Sequence, residues 1–469
     1  MTPTLTLLLL LSLSSPIGHA GGHERVQDKE DTGAEAATRS SIKSKAVCSG
    51  HRVSIPVSGR AWLPLNHRHG PCSPLPASAR MPSTADVLRR DQLREKGIRG
   101  VLNGSASAVE RHPATVRPVT LGSSLDTLEY VITMGLGTPA VKQTVFIDTG
   151  SDITWVQCRP CPVPPCHQQK DPMFDPARSA TYSAVPCGSA ACRGLGSDFF
   201  GGCSSRNLCR YAISYAGNDS STGTYSSDKL TLSPTYAVDG FLFGCQHTPE
   251  ETPNDDDART DGIMGLGGGV PSLVSQTAEK AFSYCLPPSP SYSGFLTLGA
   301  PRVSSSRFAV TPMYIYPDHP TSYIVVLQAI VVAGRRLDVP TSVFSKGAIM
   351  DSGTPITTLP PEAYRALRAA FRKEMRMYPR AAPMENLDTC FNLDGDVSDA
   401  KLPNITLVFE RGAAMELDRK GIIVNDGCLA FAPHNDDTSP GIIGNVQQRT
   451  FEVLYDIGGQ AVGFRRGAC

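Results

Sequence analysis

Two segments of this chain are near copies of each other. Val145-Phe-Ile-Asp-Thr-Gly-Ser-Asp-Ile-Thr-Trp-Val156 and Ala348-Ile-Met-Asp-Ser-Gly-Thr-Pro-Ile-Thr-Thr-Leu359 both read apolar, apolar, Asp, hydroxyl, Gly, hydroxyl, with Ile-Thr two places later. Their aspartates, Asp148 and Asp351, are 203 residues apart. Each copy has a companion: Gly262-Ile-Met-Gly265 comes 114 residues after Asp148, and Gly441-Ile-Ile-Gly444 comes 90 after Asp351. A cysteine-rich insertion at residues 158–209 accounts for the longer first interval. A repeat of this kind predicts two homologous lobes, each bringing one carboxylate.

The texture around the repeat is mainly β. Short β-branched and aromatic runs, such as Tyr130–Met134, Thr144–Ile147 and Ser322–Leu327, are separated by Gly, Pro and Asp turns. One helix is expected after Pro360-Pro361, where Tyr364, Leu367, Phe371 and Met375 recur at helical spacing. Residues 21 to about 115 differ: they are polar and basic, with one expected helix from a Ser83 or Thr84 cap through Leu88, Asp91 and Arg94 to about Ile98, closed by Gly100.

The 44 basic and 44 acidic residues of the 469 cancel only in the sum. Residues 21–118 hold 16 basic and 9 acidic side chains, a net +7, and residues 119–469 hold 28 and 35, a net −7. The net charge of zero argues against a general nucleic-acid binder. Leu5–Leu13 is a short apolar run followed by Gly18-His19-Ala20, the pattern of a signal peptide over residues 1–20. Export favours disulfides among the fourteen cysteines, and that compartment argues against a zinc or redox role for Cys158, Cys161 and Cys166.

A single Asp-Thr-Gly-Ser is a common turn; two in matching apolar frames imply shared chemistry. The flanking apolar residues carry each aspartate into a buried setting, the glycine lets the backbone bend around it, and the neighbouring hydroxyls can hold it by hydrogen bonds. Two carboxyls brought within a few ångströms cannot both ionise cheaply and share one proton. One can then act as general base on a water while the other polarises the carbonyl under attack, without metal, cofactor or covalent intermediate.

These motifs resemble the two active-site motifs of pepsin-like aspartic endopeptidases, and Glu129-Tyr-Val-Ile-Thr-Met-Gly-Leu-Gly-Thr-Pro139 resembles the family's first strands. The cysteines after the first motif, and Gly444-Asn-Val-Gln-Gln-Arg-Thr-Phe-Glu-Val-Leu-Tyr-Asp456, resemble the plant nepenthesin-like branch; His67-Arg-His-Gly-Pro-Cys-Ser-Pro74 resembles its pro-segments. The resemblance implies a bilobal pepsin-like fold with a central interlobe sheet. It divides the chain into a pro-segment at 21–118, an N-terminal lobe at 119–300 and a C-terminal lobe at 301–469.

By the same resemblance Asp148 and Asp351 are the catalytic pair, Thr149 and Ser352 cross-brace their loops, and Gly150 and Gly353 complete the motifs. Ser151 and Thr354 would bond the outer carboxylate oxygens. Tyr215 would be the flap tyrosine and Trp155 the tryptophan whose ring nitrogen bonds it. The flap departs from the branch pattern, with Ala216 where a glycine is usual. It also holds a glycosylation sequon at Asn218, which a large substrate would need unoccupied; Asn103 and Asn404 are better acceptors.

Nine cysteines (Cys158, Cys161, Cys166, Cys187, Cys192, Cys203, Cys209, Cys245, Cys285) fall in the first lobe and three (Cys390, Cys428, Cys469) in the second. With the bridge within the second lobe that pepsin-like folds generally have, Cys390 would pair with Cys428, leaving Cys469 for Cys245 or Cys285. The expectation is a secreted, monomeric, zymogen-derived endopeptidase of the extracellular space or vacuole, acting on polypeptides. Its own leader would inhibit it, with Arg89, Arg90 and Arg94 covering an acidic cleft, and neither nucleic acid nor, once the signal is removed, a membrane is an expected partner. The alternative is a weak or silent inhibitor or binding protein on the same fold.

Overall fold

The computed structural model describes residues 59–75, 83–102, 130–161, 169–215, 220–247, 260–287, 292–299, 307–393, 400–424, 427–434 and 439–469. The signal sequence, Cys48, Cys166, the sequons at Asn103 and Asn218 and the flap residues 216–219 lie outside them.

The sequence repeat becomes a structural one. Strand Tyr130–Leu136 runs antiparallel to Val141–Asp148. Gly262–Gly265 then lies parallel to the end of Val141–Asp148, with Gly265 opposite Asp148, and antiparallel to Trp155–Gln157. In the second half Gly441–Ile443 lies parallel to Ala348–Met350 and antiparallel to Thr357–Leu359. In both halves the chain therefore leaves a strand at the aspartate, loops, and returns on the far side of the Gly-apolar-apolar strand. The flanking glycines make this possible, because a Cβ on Gly262 would run into the carbonyl of Trp155 and one on Gly444 into that of Pro355.

A central sheet joins the halves. Ala309–Pro312, Ala461–Arg465, Glu452–Asp456, Ala281–Cys285 and Ser293–Leu298 lie side by side in that order, so strands from distant parts of the chain share one surface. Phe282, Tyr284, Tyr323 and Tyr455 pack ring against ring beneath the aspartate loops, Phe282 stacking on Tyr455 at 4.5 Å. The expected run at Ser322–Leu327 is split between His319–Val325 and Leu327–Val332. Helix Pro361–Glu374 buries Tyr364, Leu367 and Phe371 as the periodicity predicts, and its proline sits in the first turn, where a missing N–H costs nothing.

The leader holds more structure than expected. Besides its helix it contributes strand Ala61–His67, which pairs with Ser293–Leu298 along six residues and touches Tyr130–Leu136, extending the central sheet. Ala61, Leu63, Leu65 and His67 are buried while Trp62 and Pro64 are exposed. That period-two alternation was present in the sequence but is masked by its proline and its basic surroundings. The helix starts at the Ser83 cap, whose hydroxyl accepts from the Asp86 N–H, and runs through Gly100 to Leu102. Tertiary packing overrides the glycine stop, since Leu88 and Ile98 are both buried against the second lobe.

Disulfides link Cys158–Cys245, Cys187–Cys203, Cys192–Cys209, Cys390–Cys428 and Cys285–Cys469, and Cys72 and Cys161 are also bonded. Of the partners left open for Cys469 the structure uses Cys285, closing a loop of 184 residues. Removing it in a Cys285→Ala/Cys469→Ala chain is expected to cost roughly 2–5 kcal/mol, read as a lower urea midpoint.

Candidate active site

The two aspartate loops meet at the centre of the molecule. Asp148 and Asp351 are fully buried. Their loops brace each other reciprocally: the Thr149 N–H donates to Ser352 Oγ at 3.1 Å and the Ser352 N–H to Thr149 Oγ1 at 2.9 Å. Within each loop the glycine N–H turns back to its own aspartate, Gly150 to Asp148 Oδ1 at 3.0 Å and Gly353 to Asp351 Oδ1 at 2.9 Å. Thr354 Oγ1 donates to Asp351 Oδ2 at 2.6 Å. Ser151 differs from Thr354, because its buried hydroxyl finds no hydrogen-bond partner among the described residues. The chain beyond Ser151 follows another course, since Asp152 is drawn away by the Gly269 N–H and by Thr321.

Behind the second loop, side chains of Asn445 and Gln448 take the carbonyls of Ser352 and Asp351 at 3.1 and 3.2 Å. Gln448 also accepts from Tyr284, whose hydroxyl lies 2.8 Å from that of Tyr455. Trp155 donates its ring N–H to the Tyr215 hydroxyl at 2.6 Å, and both rings belong to the apolar cluster that the cysteine-rich insertion builds from Val185, Leu195 and Phe199. The pair is thus both core and hydrogen-bonded.

A cation lies between the aspartates. Arg94, from the leader helix, is fully buried, and one of its nitrogens, Nη2, donates to Asp148 Oδ1 at 3.0 Å and to Asp351 Oδ1 at 2.7 Å. Its Nε reaches Asp351 Oδ2 at 3.0 Å and Thr354 Oγ1 at 2.9 Å. The guanidinium lies against Gly353, where any Cβ would collide with it. Burial alone would loosen the Arg94 proton, but the charges of Asp351 and Asp148 outweigh burial and raise its pKa. Arg89 instead lies exposed between Asp86 and Glu385.

The same helix face buries two acids. Glu95 pairs with Arg99 at 2.9 Å, while among the described residues Asp91 accepts only a long 3.4 Å bond from the Ile356 N–H. Burial first, and the charge of Glu95 second, push the Asp91 carboxyl well above the usual carboxylate range. Elsewhere the leader sets Arg68 over the Phe146 ring at 4.9 Å and Leu75 against the cluster holding Tyr215. No group of three His, Cys, Asp or Glu suited to a metal occurs among the described residues.

The xylanase inhibitor N-terminal family model matches residues 130–300 and the xylanase inhibitor C-terminal model residues 322–466. An aspartyl protease family protein of Arabidopsis thaliana is 39% identical over 99% of this chain and 98% of its own length. The chain belongs to the plant pepsin-like aspartic protease family. Another relative, aspartic proteinase nepenthesin-2 of Nepenthes gracilis, is 32% identical over 82% of this chain and 85% of that protein. Basic 7S globulin from soybean shares the fold, with a TM-score of 0.57 at 22% identity over 72% of this chain and 91% of that one. The matching family models and relatives thus carry inhibitor and protease names, and among the described residues no helix of this member is long and apolar enough to cross a membrane.

In this member the paired motifs lie where the sequence reading puts them, whereas Asp152, Asn445 and Gln448 carried no assigned role. Asp152 stands inside the first motif, but Pro355 takes its place in the second, so the repeat gave it no partner to signal it. Asn404, an expected glycan acceptor, is exposed.

Asp91 yields a signed prediction. Its raised pKa means that its contribution to the stability of the fold is full below the ordinary carboxylate range and is lost as pH rises through the raised value. Asp91→Asn, which keeps an acceptor for Ile356, is expected to raise the melting temperature of the full chain at pH 7, the gain shrinking as pH falls towards 4.

Proposed function

We propose that this chain is the inactive precursor of a secreted aspartic endopeptidase, with Asp148 and Asp351 as its catalytic pair and the leader as its intramolecular inhibitor. The observation that carries the reading is the single Arg94 nitrogen that donates to both aspartates. A guanidinium in that position occupies the space an attacking water and a scissile carbonyl would need.

With the leader gone, the cross-braced loops hold two carboxyls face to face. One, ionised, takes a proton from water as the water oxygen attacks the peptide carbonyl; the other, protonated, donates to the carbonyl oxygen. The resulting tetrahedral diol collapses as a proton reaches the amide nitrogen and the C–N bond breaks. An extended peptide of ~6–8 residues is the expected substrate, held by strand-like contacts. Two carboxyls this close cannot both ionise cheaply, so the dyad shares one proton between them. Removing Arg94 while leaving two carboxylates facing each other costs the leader-bound state about 3–5 kcal/mol.

The other family reading, an inhibitor or binding protein without activity, is favoured by the names of the matching family models, but this chain keeps both aspartates and both bracing hydroxyls. Cleavage of a denatured protein after acidification separates the two. Asp148→Asn is expected to reduce it at least about 100-fold. The uncut Arg94→Gln precursor is expected to cleave where the uncut wild-type precursor does not. Cleavage that survives Asp148→Asn would overturn the mechanism; an Arg94→Gln precursor as silent as wild type would overturn the inhibitory role of Arg94.

A further inference from the structure

A third acid is buried beside the pair. Asp152, four residues after Asp148, has no exposed surface. Its Oδ1 accepts from the Gly269 N–H at 2.8 Å and its Oδ2 from Thr321 Oγ1 at 2.6 Å. Thr321 stands on strand His319–Val325 of the second half, so this carboxyl bonds the first aspartate loop to the opposite lobe. The contact is tight on every side. A Cβ on Gly267 or Gly269 would collide with the carboxyl oxygens, and the Gly267 and Gly268 N–H groups close the same junction by donating to Ser151 O at 2.8 Å and Thr321 O at 3.1 Å.

The electrostatics of this junction are one-sided. Among the described residues no cation pairs with Asp152. The charged groups that act on it are Asp148 on its own loop and Asp198 on the helix Gly196–Phe199, both acids. Tyr323, from the strand of Thr321, faces it with a phenol whose hydroxyl is given to Leu266 O at 2.9 Å. The glycine turn 267–269 brings no charge. Two hydrogen bonds do not replace the water a carboxylate loses in such a site, and a neutral carboxyl can make both, accepting from the Gly269 N–H and donating its own O–H to Thr321 Oγ1.

We propose that Asp152 is a positioning residue whose protonated carboxyl locks the Asp148 loop to the second lobe, so that its ionisation ends the acid range in which the two aspartates are held together. The inference rests on the endopeptidase reading for its effect on catalysis, but not for its effect on the fold. Burial pushes the Asp152 pKa up to about 6, against the opposing pull of Thr321 and Gly269, and the charges of Asp148 and Asp198 add to the rise. For an acid so raised, the stabilising contribution is complete below the ordinary carboxylate range and is lost between about pH 4 and 6. In the second lobe the corresponding residue, Pro355, has no proton to lose.

The test compares Asp152→Asn and Asp152→Ala with wild type in two assays. Full chains carrying Asp351→Asn, which cannot cut themselves, are melted from pH 4 to pH 7; the matured enzymes are profiled for kcat and KM over the same range. Asn imitates the protonated carboxyl, so Asp152→Asn is expected to lose less melting temperature towards pH 7 and to move the neutral limb of kcat/KM up by at least about half a pH unit. Asp152→Ala is expected to lower kcat about tenfold or more across the range, with KM little changed. If the melting curves of Asp152→Asn and Asp152 chains depend on pH identically, the proposal fails even if the Ala variant does not fold. If no variant and no wild-type protein cleaves at any pH, the endopeptidase reading fails, and the melting comparison still decides for or against Asp152.

Discussion

A buried guanidinium between two buried carboxylates is the interaction around which this structure is arranged. Either partner alone would be costly: an isolated charge in such a site loses its hydration without compensation, and two facing carboxylates repel. Together Arg94, Asp148 and Asp351 satisfy one another, with Thr354 supplying a further donor to Asp351. The helix Thr84–Leu102 is therefore held against both aspartate loops. At this contact one arginine of the net +7 segment meets two acids of the net −7 remainder. Exposed pairs such as Arg89 with Glu385 add little in comparison.

The scaffold serves that geometry. Reciprocal bonds between Thr149 and Ser352 set one loop against the other, and the aromatic layer of Phe282, Tyr284, Tyr323 and Tyr455 supports both from below. Cys285–Cys469 pins the chain end to the shared sheet. The leader is part of this frame as well as its occupant, since Ala61–His67 is a strand of the central sheet and Arg68 caps the ring of Phe146, two residues before Asp148. The leader thus meets both the aspartate pair and a strand position of the central sheet.

The parts of this arrangement that the sequence disclosed are those it states twice. The duplicated aspartate motifs and the paired glycine strands located both loops and their bracing hydroxyls, because a repeat is visible without knowing which residues touch. Contacts made once were harder to read. Leader arginines were expected over the cleft, but only helix geometry distinguishes Arg94, on the buried face with Leu88, Asp91 and Ile98, from Arg89 on the exposed one. The strand at Ala61–His67 was hidden by Pro64 and by a basic neighbourhood that reads as linker. Asp152, Asn445 and Gln448 act through partners dozens to hundreds of residues away, and no local pattern announces such pairings.

Acidity relieves the cost of burying Asp91, whose carboxyl is held well above the usual carboxylate range first by burial and then by the charge of Glu95, so protonation there favours the packed helix. The most direct measurement of the central interaction is calorimetric binding of pepstatin, a ligand directed at a carboxyl dyad, to the full uncut chain at neutral pH. With Arg94 in place no binding is predicted, and an uncut Arg94→Gln chain is predicted to bind. Equal binding by the two uncut chains would contradict the account.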